Sequence, residues 1–248
     1  MSGKKGFTLI ELLVVIAIIA VLMSILMPAL NKAKAHAKNV LDLNNLHQWG
    51  LIWKMWTDEN KNFFPSRDDL NSIQEVMWNY YEGNLDKDLW LCPMATKTVE
   101  QGGRNPYLAW GPYDAGQWGD VVGSYVINLW AANDDEILSG LRYWRTPNQK
   151  GAQYAPIQAC GQQQNMQCYP QDEPLEYETD LWTPGPANEM RRVVIKRHAP
   201  YNINVLMMDY SVKRSTIKGV WKLHWARGWP SVIDWPDWPD WMADVPDP

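Results

Sequence analysis

The stretch Gly6–Met27, GFTLIELLVVIAIIAVLMSILM, decides how the rest of the chain is read. From Phe7 to Met27 only Thr8, Glu11 and Ser24 interrupt an apolar run. As a helix this run is roughly 32 Å long at ~1.5 Å per residue, about the thickness of a bilayer's hydrocarbon core, so it is expected to span a membrane. A secretory signal would have a shorter apolar region followed by a small-residue cleavage site. Here the order is reversed, with a short basic leader, MSGKKG (Met1–Gly6), and its small residue Gly6 preceding the run. Glu11 is out of place in a plain anchor. An acid near the bilayer centre costs about 2.5–3.5 kcal/mol on insertion scales, so Glu11 either stays wet near the interface or has a partner. Charge does not settle orientation, because Lys4 and Lys5 precede the run while Lys32, Lys34 and Lys38 follow it.

Over the whole chain the composition is that of a folded protein: 46% hydrophobic, 21% charged, formal net charge −5. No Lys/Arg cluster follows one face of an expected element, which argues against nucleic-acid binding. Tryptophan is over-represented, with 16 Trp against 3 Phe, and such side chains either anchor interfaces or stack on sugars.

The motif Gly6–Leu12, G-F-T-L-I-E-L, resembles the prepilin cleavage and methylation motif of type IV pilins and type II secretion pseudopilins. The resemblance implies cutting between Gly6 and Phe7 by a prepilin peptidase/methyltransferase and N-methylation of Phe7. It also implies an ion pair between Glu11 and the N-terminal amine of a neighbouring subunit, which would set axial register in a low-dielectric bundle. Pro28 stands where these families often carry a helix-breaking proline, so Ser24–Pro28 is an expected place for the helix to kink or melt on assembly. The chain is thus expected in the inner membrane as a single-span precursor, then in a periplasmic or extracellular helical homo-oligomer.

The expected fold is α+β, a pilin-like ladle: a long N-terminal helix with a hydrophobic first half, packed on an antiparallel β-sheet head. The boundaries are a leader at 1–6, the helix at 7–60 (7–28 being membrane span and filament core), a head at 61–220 and a Trp/Pro/Asp-rich arm at 221–248. Leu43, Leu46, Trp49, Trp53 and Trp56 form one helical stripe, with Asp42 and the lysines off it, and the helix stops in DENKNFFP at Pro65. A second helix is expected over Asp69–Tyr81. Strand-like runs are Leu89–Cys92, Ser124–Leu129, Ala155–Cys160, Arg192–Lys196, Ile203–Met208 and Val212–Ile217, the last three forming an antiparallel hairpin continued into a third strand. The head is similar to planctomycete-type pilin-like proteins with a His-x9-Asp-Gly signature. Here His198 and Asp209 are separated by ten residues, and Tyr210 stands in place of Gly.

No nucleophile elbow, HExxH, phosphate loop or zinc spacing is present, and no enzyme activity is expected. His198 and Asp209 are expected to form a structural pair across the hairpin. Asp114, Asp120 and Asn133–Glu136 are weak candidates for calcium, lacking the spaced oxygen ligands of a recognised loop, and no other metal or cofactor is expected. Among Cys92, Cys160 and Cys168, none lies near a His at metal-ligand spacing. Cys160–Cys168 is the preferred disulfide, with Cys92 pairing to either as the competitor. In the tail DWPDWPDWMADVPDP, Trp235, Trp238 and Trp241 recur every three residues, which in polyproline II puts three indoles on one edge. That edge is expected to dock, preferentially as an arm on a neighbouring subunit and otherwise on its own head. The function expected is a structural filament subunit. The alternative is a filament-displayed carbohydrate-binding protein with a Trp-rich surface.

Overall fold

The computed structural model describes residues 8–67, 76, 87–104, 106–114, 120–174, 189–193, 196–198, 200–231 and 237–247. Helix α1 runs from Leu9 to Glu59, 51 residues, and contacts divide the chain within it into two units, Met1–Lys38 and Asn39–Pro248.

In the first unit every residue from Thr8 to Lys34 is exposed, including Leu9 and Ile10 at 74%. A helix that is apolar all round and covered by nothing in its own chain belongs in lipid or among copies of itself. It is long and apolar enough to cross a membrane. The helix continues through Pro28. Proline has no N–H to give the Ser24 carbonyl, and the Ser24 hydroxyl donates to the Val21 carbonyl at 2.7 Å.

In the second unit α1 buries Asn39, Asp42, Leu46, Trp49, Gly50, Ile52, Trp53 and Thr57. The stripe is therefore rotated from the expected one: Leu43 and Trp56 are half-buried at its margin, and Asp42, expected off it, is fully buried. The facing surface supplies hydrogen-bond donors, which is what lets a carboxylate lie there. The Trp49 and Trp53 indoles donate to the Leu89 carbonyl (2.9 Å) and to Gln158 Oε1 (3.3 Å). Gly50 is required by close approach, since a Cβ there would lie 3.1 Å from both Leu206 Cδ1 and the Tyr210 carbonyl oxygen. After Glu59 the chain turns through Lys61 and Asn62, both left-handed (φ 57 and 62), and the Asn62 amide donates to the Thr57 carbonyl at 2.7 Å.

Among the described residues nine strands follow: β1 (Trp110–Asp114), β2 (Asp120–Gly123), β3 (Tyr125–Asn128), β4 (Ile137–Leu138), β5 (Leu141–Arg142), β6 (Pro156–Cys160), β7 (Asn165–Met166), β8 (Asn202–Met207) and β9 (Val212–Thr216). The main sheet has order β7-β3-β6-β8-β9, antiparallel except for the β3–β7 pair. Strands β1–β2 and β4–β5 are separate ribbons. The α+β expectation holds, and β3, β6, β8 and β9 fall within predicted runs.

Other expectations are corrected. Residues 87–90 form a 3-10 turn rather than a strand. Glu189–Arg192 is another 3-10 turn, so the strand beside the β8–β9 hairpin is β6. The helix expected over Asp69–Tyr81 lies outside the described residues except Val76, which is helical. The head extends past residue 220, because Trp221, Trp225, Ala226 and Trp229 are core residues.

Tyr210 sits in the β8–β9 turn with φ 64, a conformation glycine adopts more readily. The tyrosine is retained there by its contacts, its hydroxyl lying 2.6 Å from Thr57 Oγ1. A loop anchor lies at Asp172, whose Oδ2 accepts the amides of Tyr169, Glu189 and Met190 at 3.1–3.2 Å.

Candidate functional site

Two groups of residues carry chemistry. The first is the start of α1. Gly6 and Phe7 lie outside the described residues, but the residues immediately after them form a capping box. Thr8 Oγ1 accepts the Glu11 amide at 3.3 Å, and Glu11 Oε2 accepts the Thr8 amide (2.9 Å) and hydroxyl (2.7 Å). Glu11 thus has a partner within its own chain, which the sequence reading missed although T-L-I-E ahead of an apolar run is the signature of such a cap. Among the described residues nothing donates to Glu11 Oε1, so one carboxylate oxygen stays open to a second donor.

The second group lies in the core of the head, where Asp42 of α1, Cys92, Cys160 at the end of β6 and His198 meet. Their relative exposures are 0, 0, 0 and 2%. His198 Nε2 is 3.3 Å from Asp42 Oδ2, 3.3 Å from Cys160 Sγ and 3.5 Å from Cys92 Sγ, and Cys160 Sγ is 3.3 Å from Asp42 Oδ2. One ligand atom from each of the four lies within 4.8 Å of all the others. Around them, Tyr125 Oη donates to Asp42 Oδ1 at 2.6 Å and Asn204 Nδ2 to Asp42 Oδ2 at 2.7 Å. Burial and the Asp42 charge push the Cys92 pKa up, but the hydrogen bonds with Cys160 and His198 outweigh them and bring that thiol down to about 7. Cys160 moves the other way, raised by burial, by its bond to Cys92 and by the Asp42 charge.

The expected His198–Asp209 pair is not formed. His198 turns inward to Asp42, while Asp209 shapes the β8–β9 turn, its Oδ1 accepting the Ser211 amide (3.0 Å) and hydroxyl (2.5 Å). Nor is Cys160 bridged to Cys168, and all three cysteines are free. Strand β3 lies between β6 and β7, and two strand spacings, about 9–10 Å, exceed the ~7 Å reach of a disulfide. Cys168 packs instead beside Met190, sulfur to sulfur at 3.9 Å.

Asp114 and Asp120 are cross-strand partners in the β1–β2 ribbon. In the other calcium candidate, Arg145 holds Asn133 and Asp135 while Arg67 holds Glu136, so guanidinium groups occupy the oxygens a cation would need. Trp235 lies outside the described residues. Trp238 and Trp241 are half-buried against their own core, and Trp238 meets Trp221 edge-on at 5.1 Å with the Lys218 ammonium 5.3 Å from its ring. The described part of the arm, from Asp237 onward, therefore packs on its own head. Its three-residue period also ends at the 3-10 turn Asp240–Met242, which buries Met242. No described tryptophan is exposed, and the carbohydrate reading is not supported.

A helix whose first half is apolar and exposed, and whose second half packs on a mainly antiparallel sheet, is a type IV pilin-like architecture. The comparisons with known proteins agree. The family described as the prokaryotic N-terminal methylation motif matches residues 1–27. The chain is also similar to the type IV wide pilus major component PilA4 of Thermus thermophilus, with 37% identity over 73 residues, 29% of this chain and 56% of that protein. It thus spans about half the length of the curated relative it matches. No solved structure matches. The planctomycete-type His–Asp–Gly signature finds no support in these matches.

Proposed function

We propose that the protein is a non-enzymatic structural subunit of a type IV pilus-like or type II secretion pseudopilus filament. The observation that carries this reading is the methylation motif set on a capped helix whose apolar surface is left uncovered by its own chain. The precursor sits in the inner membrane by this span, a prepilin peptidase cuts between Gly6 and Phe7, and Phe7 is N-methylated. Copies then bury their helices against one another. Lipid tails are as apolar as this helix, so association rests on side-chain packing and polar contacts rather than on burial from water, and so uniform an apolar face gives little register. Register comes from polarity. Glu11 Oε1 accepts the N-terminal amine of a neighbouring subunit while Oε2 keeps the cap of its own helix. Pro28, which leaves the ladder one N–H donor short, lets the helix adjust around Ser24 during packing.

Glu11→Val tests this. Insertion should be intact or better, because the span becomes more apolar. Filament yield should fall at least about tenfold, as expected when a buried charged partner loses its mate at a cost of about 3–5 kcal/mol. Sheared filaments quantified by electron microscopy, with mass spectrometry of the subunit N-terminus, provide the readout. Normal filaments from Glu11→Val, or filaments built of chains that retain Met1 or Ser2, would overturn the reading.

A further inference from the structure

The cluster in the head core plays no part in filament assembly, and its geometry is not that of a catalytic relay. In a Cys–His–Asp relay the imidazole uses one nitrogen for the nucleophile and the other for the carboxylate. Here both thiols and the carboxylate face the same nitrogen, Nε2, while Nδ1 has no partner among the described residues. Four donor atoms converge on one point. We propose that Asp42, Cys92, Cys160 and His198 form a closed binding site for one divalent metal ion of the zinc class, tying α1 to the sheet.

Five observations support the assignment. The donor set of two thiols, one imidazole and one carboxylate is one that zinc takes up, and thiolates select against magnesium and calcium. A tetrahedral ion with bonds of ~2.0–2.3 Å needs its ligands about 3.3–3.8 Å apart. Four of the six separations among these atoms, 3.3, 3.3, 3.3 and 3.5 Å, lie in that range. All four side chains are buried, leaving no open coordination position, which makes the site structural rather than catalytic.

The remaining two observations concern the surroundings. Both oxygens of Asp42 are oriented by outer partners, Tyr125 and Asn204, and Asn204 Nδ2 is itself 2.9 Å from Asn39 Oδ1. The charges also balance. Arg197, buried beside His198, donates to the carbonyls of Pro106, Leu108, Ser124 and Gly161. Exchanging two thiol protons for one divalent cation leaves the net charge of the pocket and Arg197 unchanged. Binding therefore releases two protons per ion, with no change of oxidation state.

The test uses the full-length chain in detergent, stripped with a chelator and refilled with Zn²⁺ or Co²⁺ alone. About one zinc per chain should bind with release of about two protons, and Co²⁺ should produce thiolate-to-metal charge-transfer absorption with tetrahedral visible bands. Cys92→Ser and Cys160→Ser should each weaken zinc binding at least about 100-fold and diminish the charge-transfer band, whereas Cys168→Ser should leave both unchanged. Tyr125→Phe should weaken binding about 10-fold through the outer shell. Because a cysteine variant in the core can fail to fold, the stripped wild-type chain is also melted with and without zinc, and its Tm should rise with zinc but not with magnesium. Absence of zinc retention and of cobalt charge transfer in the wild type would overturn the proposal. So would a Cys92–Cys160 disulfide in chains taken directly from membranes or filaments.

Discussion

The two halves of α1 are one continuous helix by backbone and opposites by side chain. From Thr8 to Lys34 nothing is buried; from Asn39 to Thr57 a stripe of eight residues is. Both halves are rich in large apolar residues, so composition alone does not separate them. What differs is the periodicity. Leucine, isoleucine and valine surround the first half on all sides, whereas the second half alternates apolar and polar residues at helical spacing and so has a side to bury. A helix covered on all sides by apolar groups depends on its surroundings, and one with a single apolar side depends on its own chain.

The contrast is broken most directly by matched truncations. Trp53→Ala should cost about 3–5 kcal/mol of head stability by urea unfolding of the full chain, since a fully buried indole and its bond to Gln158 are lost. Leu22→Ala should move the same transition by less than about 0.5 kcal/mol. Equal losses would mean that the exposed half supports the head.

The contrast extends to the carboxylates. Glu11 is exposed at a helix start, but burial pushes Asp172 up to about 6, against the three backbone amides that favour its charged form. A folded-state value above the unfolded one means that this group's contribution is fully present below about pH 4 and lost as pH rises through about 6. Asp172→Asn should therefore raise stability by about 1–3 kcal/mol at pH 8, judged at ~1.4 kcal/mol per unit, and by nothing at pH 3.5. Thermal melts across that range give the answer, and a gain independent of pH would refute the cause. The smallest expected effect is at the tail. Trp238→Ser should lower monomer stability by about 1–2 kcal/mol, since a half-buried indole loses its contacts with Trp221 and Lys218. Fragile filaments with an unchanged monomer melt would restore the inter-subunit role of the arm.

The parts of the molecule legible in the sequence are those written in local spacing. The apolar run, the tryptophans of the packed stripe and the β8–β9 hairpin each declare themselves within a few turns or strand lengths. Asp42 was misplaced because a helical period reports where apolar residues recur, not where the facing surface supplies a tyrosine hydroxyl and an amide. The cluster of Asp42, Cys92, Cys160 and His198 was invisible for the same reason: its members come from four distant segments, and only the order β3-β6-β8 brings them together. His198 was assigned to Asp209 on the strength of proximity in sequence, a poor guide when a residue lies just before a strand and can face either side. The cap at Thr8 is legible in the T-L-I-E spacing ahead of the apolar run.

That cap has a consequence for the timing of maturation. The amide that closes the ring with Glu11 belongs to the bond joining Phe7 to Thr8, one bond beyond the proposed cut between Gly6 and Phe7. Hydrolysis at the proposed cut therefore leaves the Thr8–Glu11 hydrogen bonds in place, and on that reading the capped turn needs no rewinding when the leader is removed. Maturation becomes a change of terminus on a finished rod: one α-amine is unmasked, and the strand order, the core and the first turn of α1 are left as they were.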